Sequence, residues 1–228
     1  MIKTYNMKQE YTYWLALANA ENIYTRRKNE ILAKISENNS SLIQFFTEEN
    51  NWKSSFDLSQ DEIQSLLQEK EKLNNYSFIV EDLLEQGYQI IPIFSSDYPK
   101  TLKRNLKFSS PILLYAYGNI ELLNKESVAI VGSRNANDTS LNFTDNIASL
   151  SVSDGLVVVS GYAKGVDKQA LDSAIRNGGS SIIVLPQGIT TFGSGYKTLY
   201  KEIASGRVLV ISTFKPNAGW DKGLAIDR

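Results

Sequence analysis

The sequence contains neither cysteine nor histidine. Without cysteine the chain can form no disulfide and use no thiol, so a reducing cytoplasm is its expected compartment. Without histidine it lacks the commonest general base and the commonest metal ligand, which excludes histidine-dependent triads and zinc sites. We therefore expect no metal site and no cofactor.

The sequence also lacks any apolar run of membrane-spanning length, and its start lacks the apolar core of a signal peptide. We expect a cytosolic protein with no membrane partner. With 24 lysines and arginines against 25 aspartates and glutamates, the net charge is −1. The overall field therefore does not indicate a polyanionic partner, and any nucleic-acid site must be local.

The 228 residues, 42% hydrophobic and 21% charged, are typical of a soluble protein with one large domain or two modest ones. Helical periodicity over residues 8–35, and a capping box formed by Ser59 and Glu62, predict that residues 1–86 form a small all-helical N-terminal module. From Gly87 onwards the helical periodicity gives way to short apolar runs, so Gly87 marks the predicted start of a second domain.

Three short runs rich in valine and isoleucine lie within residues 127–134, 156–167 and 181–186. Each is closed by small or turn-forming residues, which is typical of strands buried on both faces of a parallel sheet. The segments between them, 139–154 and 165–177, are long enough for crossover helices.

Further apolar segments at residues 88–94, 111–117 and 208–212 are predicted to extend this sheet. Residues 87–228 are thus predicted to form an α/β domain with an extended Rossmann-like parallel sheet and helices on both faces. Ligands of such sheets bind beyond the carboxyl ends of the strands, so that edge is where we place the functional residues.

The first candidate is the turn Gly132-Ser133-Arg134, which follows a predicted strand and precedes a helix. Main-chain N–H groups and a helix N-terminus favour phosphate there, and the Arg134 guanidinium suits a pair of phosphate oxygens. The alternative is an ordinary glycine turn with a solvated arginine, and the residues alone leave both interpretations open.

The second candidate is the loop that follows the second strand, with Ser160, Gly161, Lys164 and Gly165. Two glycines four residues apart let consecutive N–H groups converge on an anion, and Lys164 adds a cation. Asp167 fits a structural role at the helix start better than a ligand role. The loop matches neither the Walker motif nor the dinucleotide fingerprint.

Gln187 and Gly188 follow the third strand at the same predicted edge. Their backbone is suited to a close approach by a ligand. A tight loop exit explains the pattern equally well.

These motifs together resemble the DNA-processing protein A family, DprA, also called Smf. The resemblance rests on Val-Ala-Ile-Val-Gly-Ser-Arg at 128–134, on Val-Val-Ser-Gly-Tyr-Ala-Lys-Gly-Val-Asp at 158–167, on Gly-Gly before a strand, and on Val-Leu-Pro-Gln-Gly at 184–188. Upstream, Asp-Tyr-Pro at 97–99 and Tyr-Trp-Leu-Ala-Leu at 13–17 are also similar to that family.

The resemblance implies an extended Rossmann fold in a protein that binds single-stranded DNA without chemistry on it. It implies a cytoplasmic recombination mediator that protects DNA strands during natural transformation, loads a RecA-type recombinase and forms a homodimer. It assigns phosphate contacts to Arg134 and Lys164.

Two features depart from the family pattern. Leu171 stands where the family commonly has histidine, so any role of that imidazole is absent. The sequence ends at Arg228, where the family continues into further strands, so we expect C-terminal strands to be missing and a sheet edge to be exposed.

The alternative function is a nucleotide-binding sensor or an enzyme similar to the phosphoribohydrolases on a related sheet. Those enzymes use a Pro-Gly-Gly-x-Gly-Thr motif, and the sequence contains no such string.

Overall fold

The computed structural model describes residues 2–227, and the side chains of residues 8–226. The chain divides into two compact units, with the division between Leu114 and Tyr115. The domain boundary predicted before Gly87 stays a prediction. It marks the change from helical to mixed sequence, whereas the two compact units divide after Leu114.

The first unit is mainly helical. Its elements are α1 (Ile2–Asn19), α2 (Thr25–Glu37), α3 (Leu42–Thr47), α4 (Asn51–Phe56), α5 (Gln60–Glu71), α6 (Leu73–Glu85), β1 (Gln89–Pro92), α7 (Lys100–Leu106) and the first residues of β2 (Leu113–Gly118). The helical periodicity over residues 8–35 belongs to two helices, since α1 ends at Asn19 and α2 begins at Thr25. Helix α7 was not predicted, and residues 100–106 were assigned to no element.

An aromatic cluster lies in the core of the first unit. Phe45 packs edge-on against Phe46 and Phe56, with ring centroids 5.4 and 4.9 Å apart. The Trp52 indole N–H donates to the Phe45 carbonyl at 2.6 Å, and this side chain is fully buried. The cluster therefore joins α3 to α4 both by apolar packing and by a satisfied buried donor.

The capping box predicted at the start of α5 is present, and its Glu62 also pairs with a residue of α2. Ser59 N–H donates to the Glu62 carboxylate at 2.8 Å, and the other carboxylate oxygen accepts from Arg27 of α2 at 2.9 Å. Burial alone would raise the pKa of Glu62, but the Ser59 hydrogen bonds and the Arg27 pair outweigh it and lower that pKa. Glu62 thus links α2 to α5.

The remaining elements belong to the second unit. They are β3 (Ser127–Ala129), α8 (Asp138–Ser153), β4 (Val157–Ser160), α9 (Val166–Arg176), β5 (Ser181–Val184), α10 (Gly193–Ala204), β6 (Val208–Ser212) and α11 (Lys222–Asp227). A 3₁₀ segment, Ile120–Asn124, precedes β3.

The six strands follow the order β1-β2-β6-β5-β4-β3. Strands β3 to β6 run parallel, and β2 pairs antiparallel with β6. The α/β fold class, with a largely parallel sheet and helices around it, is confirmed. Helices α8 and α9 cover β4 through a cluster of small buried residues, which includes Ala148, Val158 and Ala170.

The prediction that the first valine-rich run is buried on both faces is wrong. Strand β3 lies at one end of the sheet, where one side of its backbone has no neighbouring strand among residues 2–227. Ser127 and Ala129 are exposed, and Val131 just beyond the strand is 68% exposed. Sequence pattern alone does not distinguish an edge strand of this composition from a central one.

No helix in the described part of the chain is long and apolar enough to cross a membrane.

Replacing Glu62 by glutamine tests the link between α2 and α5. The change keeps the shape but removes the charge, so we expect unfolding at about pH 7 to need about 1–2 kcal/mol less. Because folding lowers this pKa, the stabilisation is complete above the ordinary carboxyl pKa of 4.5 and is lost as the pH falls through the folded value. The difference between parent and variant in urea unfolding should therefore be smaller at a pH well below 4.5 than at pH 7.

The exposed Glu85 of α6 is the control, and E85Q should leave stability unchanged at either pH. An E62Q effect of equal size at both pH values would contradict the role given to the charge.

Candidate nucleic-acid interface

The turn after β3 carries the first predicted cation. The β3 ladder continues to Ile130, whose N–H donates to the Val159 carbonyl at 3.0 Å, and the chain then becomes exposed from Val131 to Asn135. Helix α8 begins at Asp138, and the Asn137 side chain caps it by accepting from the Ser140 N–H at 2.9 Å. The side chain of Asn137 therefore already satisfies one N–H group at this helix N-terminus.

The loop after β4 carries the second cation and packs main chain to main chain on the first turn. Gly165 has a φ of +88°, and a Cβ built there would lie 2.2 Å from the Ser133 carbonyl oxygen and 2.8 Å from that of Arg134. The Val166 N–H donates to the same Ser133 carbonyl at 3.1 Å. Only glycine permits this approach, and it brings the backbones that carry Arg134 and Lys164 together.

Both predicted cations point to solvent. Arg134 and Lys164 are exposed, and neither forms an ion pair within the described part of the chain. The Arg134 guanidinium carbon lies 5.7 Å from the centre of the Trp220 ring, a cation–π distance. Two cationic side chains thus project from adjoining loops at the carboxyl edge of the parallel strands.

Asp167 holds the two loops together from inside. Its side chain is only 3% exposed, and one carboxylate oxygen accepts from the Gly132 N–H at 3.2 Å. The structural interpretation of Asp167 therefore agrees with its position. The Gly132 N–H is thus donated to Asp167, and the assignment of Gly132 to phosphate binding stays a prediction.

Ser160 is also structural. It is 3% exposed, and its hydroxyl donates to the Ile130 carbonyl at 2.6 Å, which ties the end of β4 to the end of β3. Gly161 beside it is buried as well. Of the predicted set, Gly132, Ser133, Arg134 and Lys164 are exposed, and Gly165 sets the spacing of the two loops.

Gln187 and Gly188 support a neighbouring segment rather than the two loops. A Cβ on Gly188 would lie 2.2 Å from the Pro216 carbonyl oxygen, and the Gly188 N–H donates to the Ala218 carbonyl at 2.8 Å. The Gln187 carbonyl accepts from the Ser212 hydroxyl at 2.7 Å. This loop thus anchors residues 216–218, just before Trp220.

Trp220 is the residue that sequence reasoning missed. It is 54% exposed, whereas Trp14 and Trp52 are 3% and 1% exposed. No element was predicted over residues 213–228, so nothing in the sequence linked Trp220 to Arg134. A tryptophan within a segment of polar and small residues was the available signal.

A row of rings adjoins the Lys164 loop. Tyr162, which has a φ of +60°, packs edge-on against Phe192 at 5.5 Å between centroids, and Phe192 packs against Tyr196 at 5.1 Å. The Lys168 ammonium lies 5.3 Å from the centre of the Tyr162 ring and pairs with Asp172 at 2.7 Å. Partly exposed rings of this kind can stack on bases.

An apolar groove of about 470 Å³ runs between the end of β3 and α8. Its walls include Ile130, Val131, Phe143 and Val166, and neither Arg134 nor Lys164 lines it. Among residues 2–227, no group of three or more carboxylates is placed to hold a metal ion.

An anion at this site can therefore contact two cations, an exposed hydroxyl at Ser133 and flanking aromatic rings. Among the predicted site residues Asp167 is buried, its carboxylate accepts from the Gly132 N–H, and the sequence contains no histidine. Such an arrangement suits reversible contact with a phosphodiester chain.

The sequence model of the family described as DNA recombination-mediator protein A matches residues 89–228. The DNA processing protein DprA of Streptococcus pneumoniae is 31% identical over 147 residues, covering 63% of this chain and 51% of that protein. Protein Smf of Synechocystis sp. is 27% identical over 166 residues, covering 71% of this chain and 41% of that protein. The chain thus spans about half or less of the length of these curated relatives.

The X-ray structure of DprA from Streptococcus pneumoniae superposes with a TM-score of 0.74 at 22% identity, covering 93% of this chain and 71% of that chain. This likeness shows the fold. The family match covers more than half of the sequence and includes both loops of the candidate site. The chain belongs to the DNA recombination-mediator protein A family.

Proposed function

We propose that this protein binds single-stranded DNA through Arg134 and Lys164 and acts as a recombination mediator. The observation that carries the proposal is the approach of Gly165 to the Ser133 and Arg134 carbonyl groups, because it sets two exposed, unpaired cations on adjoining loops. Consecutive phosphates of an unpaired strand are a fitting ligand for such a pair.

The mediator role extends this binding to partners. We propose that the protein protects single strands, loads a RecA-type recombinase, acts in the cytoplasm as in natural transformation, and functions as a homodimer. Membership of the recombination-mediator family supports these proposals. We also propose that it is a binding protein rather than an enzyme, since the matched family is one of recombination mediators and Asp167, the one carboxylate among the predicted site residues, is buried and bonded to Gly132.

Removing both cations should abolish most of the binding. For R134A/K164A we expect the affinity for a fluorescent oligothymidylate to fall about 100-fold, since each charge-assisted phosphate contact contributes about 1.4 kcal/mol or more. The dependence of log affinity on log salt should become shallower by about 0.7 for each lost contact. Fluorescence anisotropy at several salt concentrations measures both quantities.

The matched control is K125A/K201A. Lys125 precedes β3 and Lys201 lies in the last turn of α10, so both are at the amino-terminal edge of the parallel strands. Unchanged binding by R134A/K164A, or an equal loss in both double variants, would show that the site is wrongly assigned. Binding of a mononucleotide but of no oligonucleotide would favour the sensor or phosphoribohydrolase-like alternative.

The spacing of the two loops can be tested without touching a charge. G165A forces a Cβ against the Ser133 carbonyl and should weaken oligonucleotide binding at least about tenfold, besides costing the roughly 1–2 kcal/mol of left-handed strain. Gly155 is the control because its φ is +76° but a Cβ there meets nothing within 4 Å. G155A should show the strain in thermal unfolding and bind normally, and equal binding losses in both variants would refute the spacing argument.

Trp220 should report binding directly. If bases stack beside Arg134, oligothymidylate should quench tryptophan emission, and W220F should lose that response because the two remaining tryptophans are buried. We expect W220A to bind about tenfold more weakly, since stacking contributes about 1–3 kcal/mol per base. Quenching that persists in W220F would place the stacked base elsewhere.

A further inference from the structure

The first unit contains a basic segment that the candidate site does not use. Residues 1–97 carry nine lysines and arginines against fifteen aspartates and glutamates, whereas residues 98–120 carry four cations and no acid. These four are Lys100, Lys103, Arg104 and Lys107. All are exposed, and none forms an ion pair within the described part of the chain.

Helix α7 presents these charges on one side. Lys100, Lys103 and Arg104 are spaced three and four residues apart and therefore share a helix face. Lys107 follows directly as the C-terminal cap, with a φ of +51°. The Lys103 ammonium donates to the Ile93 carbonyl at 3.1 Å and lies 5.3 Å from the centre of the Phe94 ring.

Stability of the helix does not explain this pattern. Lys103 and Arg104 near the C-terminus favour the helix dipole, but Lys100 in the first turn opposes it. Like charges three and four residues apart also repel one another. Helix α7 has no buried residue whose packing could compensate. An anionic ligand would relieve the repulsion.

Two large rings stand exposed beside these charges. Phe94 is 52% exposed and Phe108 is 48% exposed. Phe94 packs edge-on against Trp14 with 5.9 Å between centroids, which holds its ring in place. Aromatic faces next to cations are the combination that binds unpaired nucleic acid, because bases stack while phosphates pair.

The backbone that carries this surface is fixed at several points. The Asn29 side-chain amide, almost fully buried, donates to the Phe108 carbonyl at 2.9 Å and to the Ser110 carbonyl at 2.8 Å. The buried Tyr98 hydroxyl donates to the Pro111 carbonyl at 2.6 Å, and burial raises its pKa so that it stays a donor. The surface is therefore formed before any ligand arrives, which lowers the entropic cost of binding.

We propose that the α7 surface, formed by Lys100, Lys103, Arg104, Lys107, Phe94 and Phe108, is a second binding surface for unpaired nucleic acid. Lys100, Arg104 and Lys107 take phosphates, and the two rings take bases. Lys103 is a positioning residue, because its ammonium is already held by Ile93. The inference rests on the proposed function for the identity of the ligand, but it concerns a different unit of the chain.

The ligand class follows from the rings. An acidic peptide would bind through the cations alone. The exposed faces of Phe94 and Phe108 add a stacking surface, which suits bases. The absence of any acid between residues 98 and 120 removes a local competitor for phosphate.

The test uses the full chain and a long oligothymidylate. For K100Q/R104Q/K107Q we expect affinity to fall at least about tenfold and the salt dependence to become shallower by about 0.7 for each lost phosphate contact. The matched control, K8Q/R26Q/K53Q, removes three cations of the same unit, two of which already pair with Glu81 and Glu30. It should bind like the parent, and equal losses in both triple variants would overturn the inference.

Photo-crosslinking separates this surface from the first site. An oligonucleotide containing bromouracil should form adducts with peptides that contain Phe94 or Phe108, and R134A/K164A should retain them. Adducts confined to residues 132–165 and 220 would overturn the α7 surface and leave the proposed function standing. A parent protein that binds no oligonucleotide would overturn both.

A further comparison tests the ligand class. Polyglutamate should compete poorly with the oligonucleotide at this surface, and F108A should weaken oligonucleotide binding about tenfold. Equal competition by polyglutamate, with no effect of F108A, would make the surface a site for acidic peptides and refute the inference.

Discussion

The approach of Gly165 to the Ser133 carbonyl is the contact on which the candidate site depends. A positive φ and the absence of a side chain let the two loops touch through their main chains. The Val166 N–H bonds to Ser133, and the buried Asp167 carboxylate bonds to Gly132. The Gly132 and Val166 N–H groups and the Asp167 carboxylate are therefore committed to structure, whereas the exposed side chains of Arg134 and Lys164 are available to a ligand.

The proposed binding depends on the local distribution of charge rather than on the net charge of this nearly neutral protein. In the second unit Lys168, Arg176 and Arg207 each pair with a carboxylate. Arg134 and Lys164 have no such partner in the described part of the chain, and the same holds for the cations of the α7 surface. Unpaired surface cations keep their full attraction for phosphate, whereas paired ones must first give up a partner.

Much of this could be predicted from the sequence. The valine-rich runs fix the parallel strands, and glycine next to a cation at their carboxyl ends identifies both loops. The direction of each amide could not be predicted, since the Gly132 N–H is taken by a carboxylate 35 residues away. Trp220 was missed because its role depends on a tertiary contact with Arg134. The edge position of β3 was also missed, since local composition carries no signal for strand order. Helix α7 was missed as well.

The central claim is that the two loops bind one strand of nucleic acid as a unit. It is tested most directly by following backbone amide resonances during titration with a short oligothymidylate. The account predicts that the amides of Ser133 and Arg134 and those of Ala163 to Gly165 shift together, with one dissociation constant. Shifts in only one loop, or shifts in both with different dissociation constants, would contradict it.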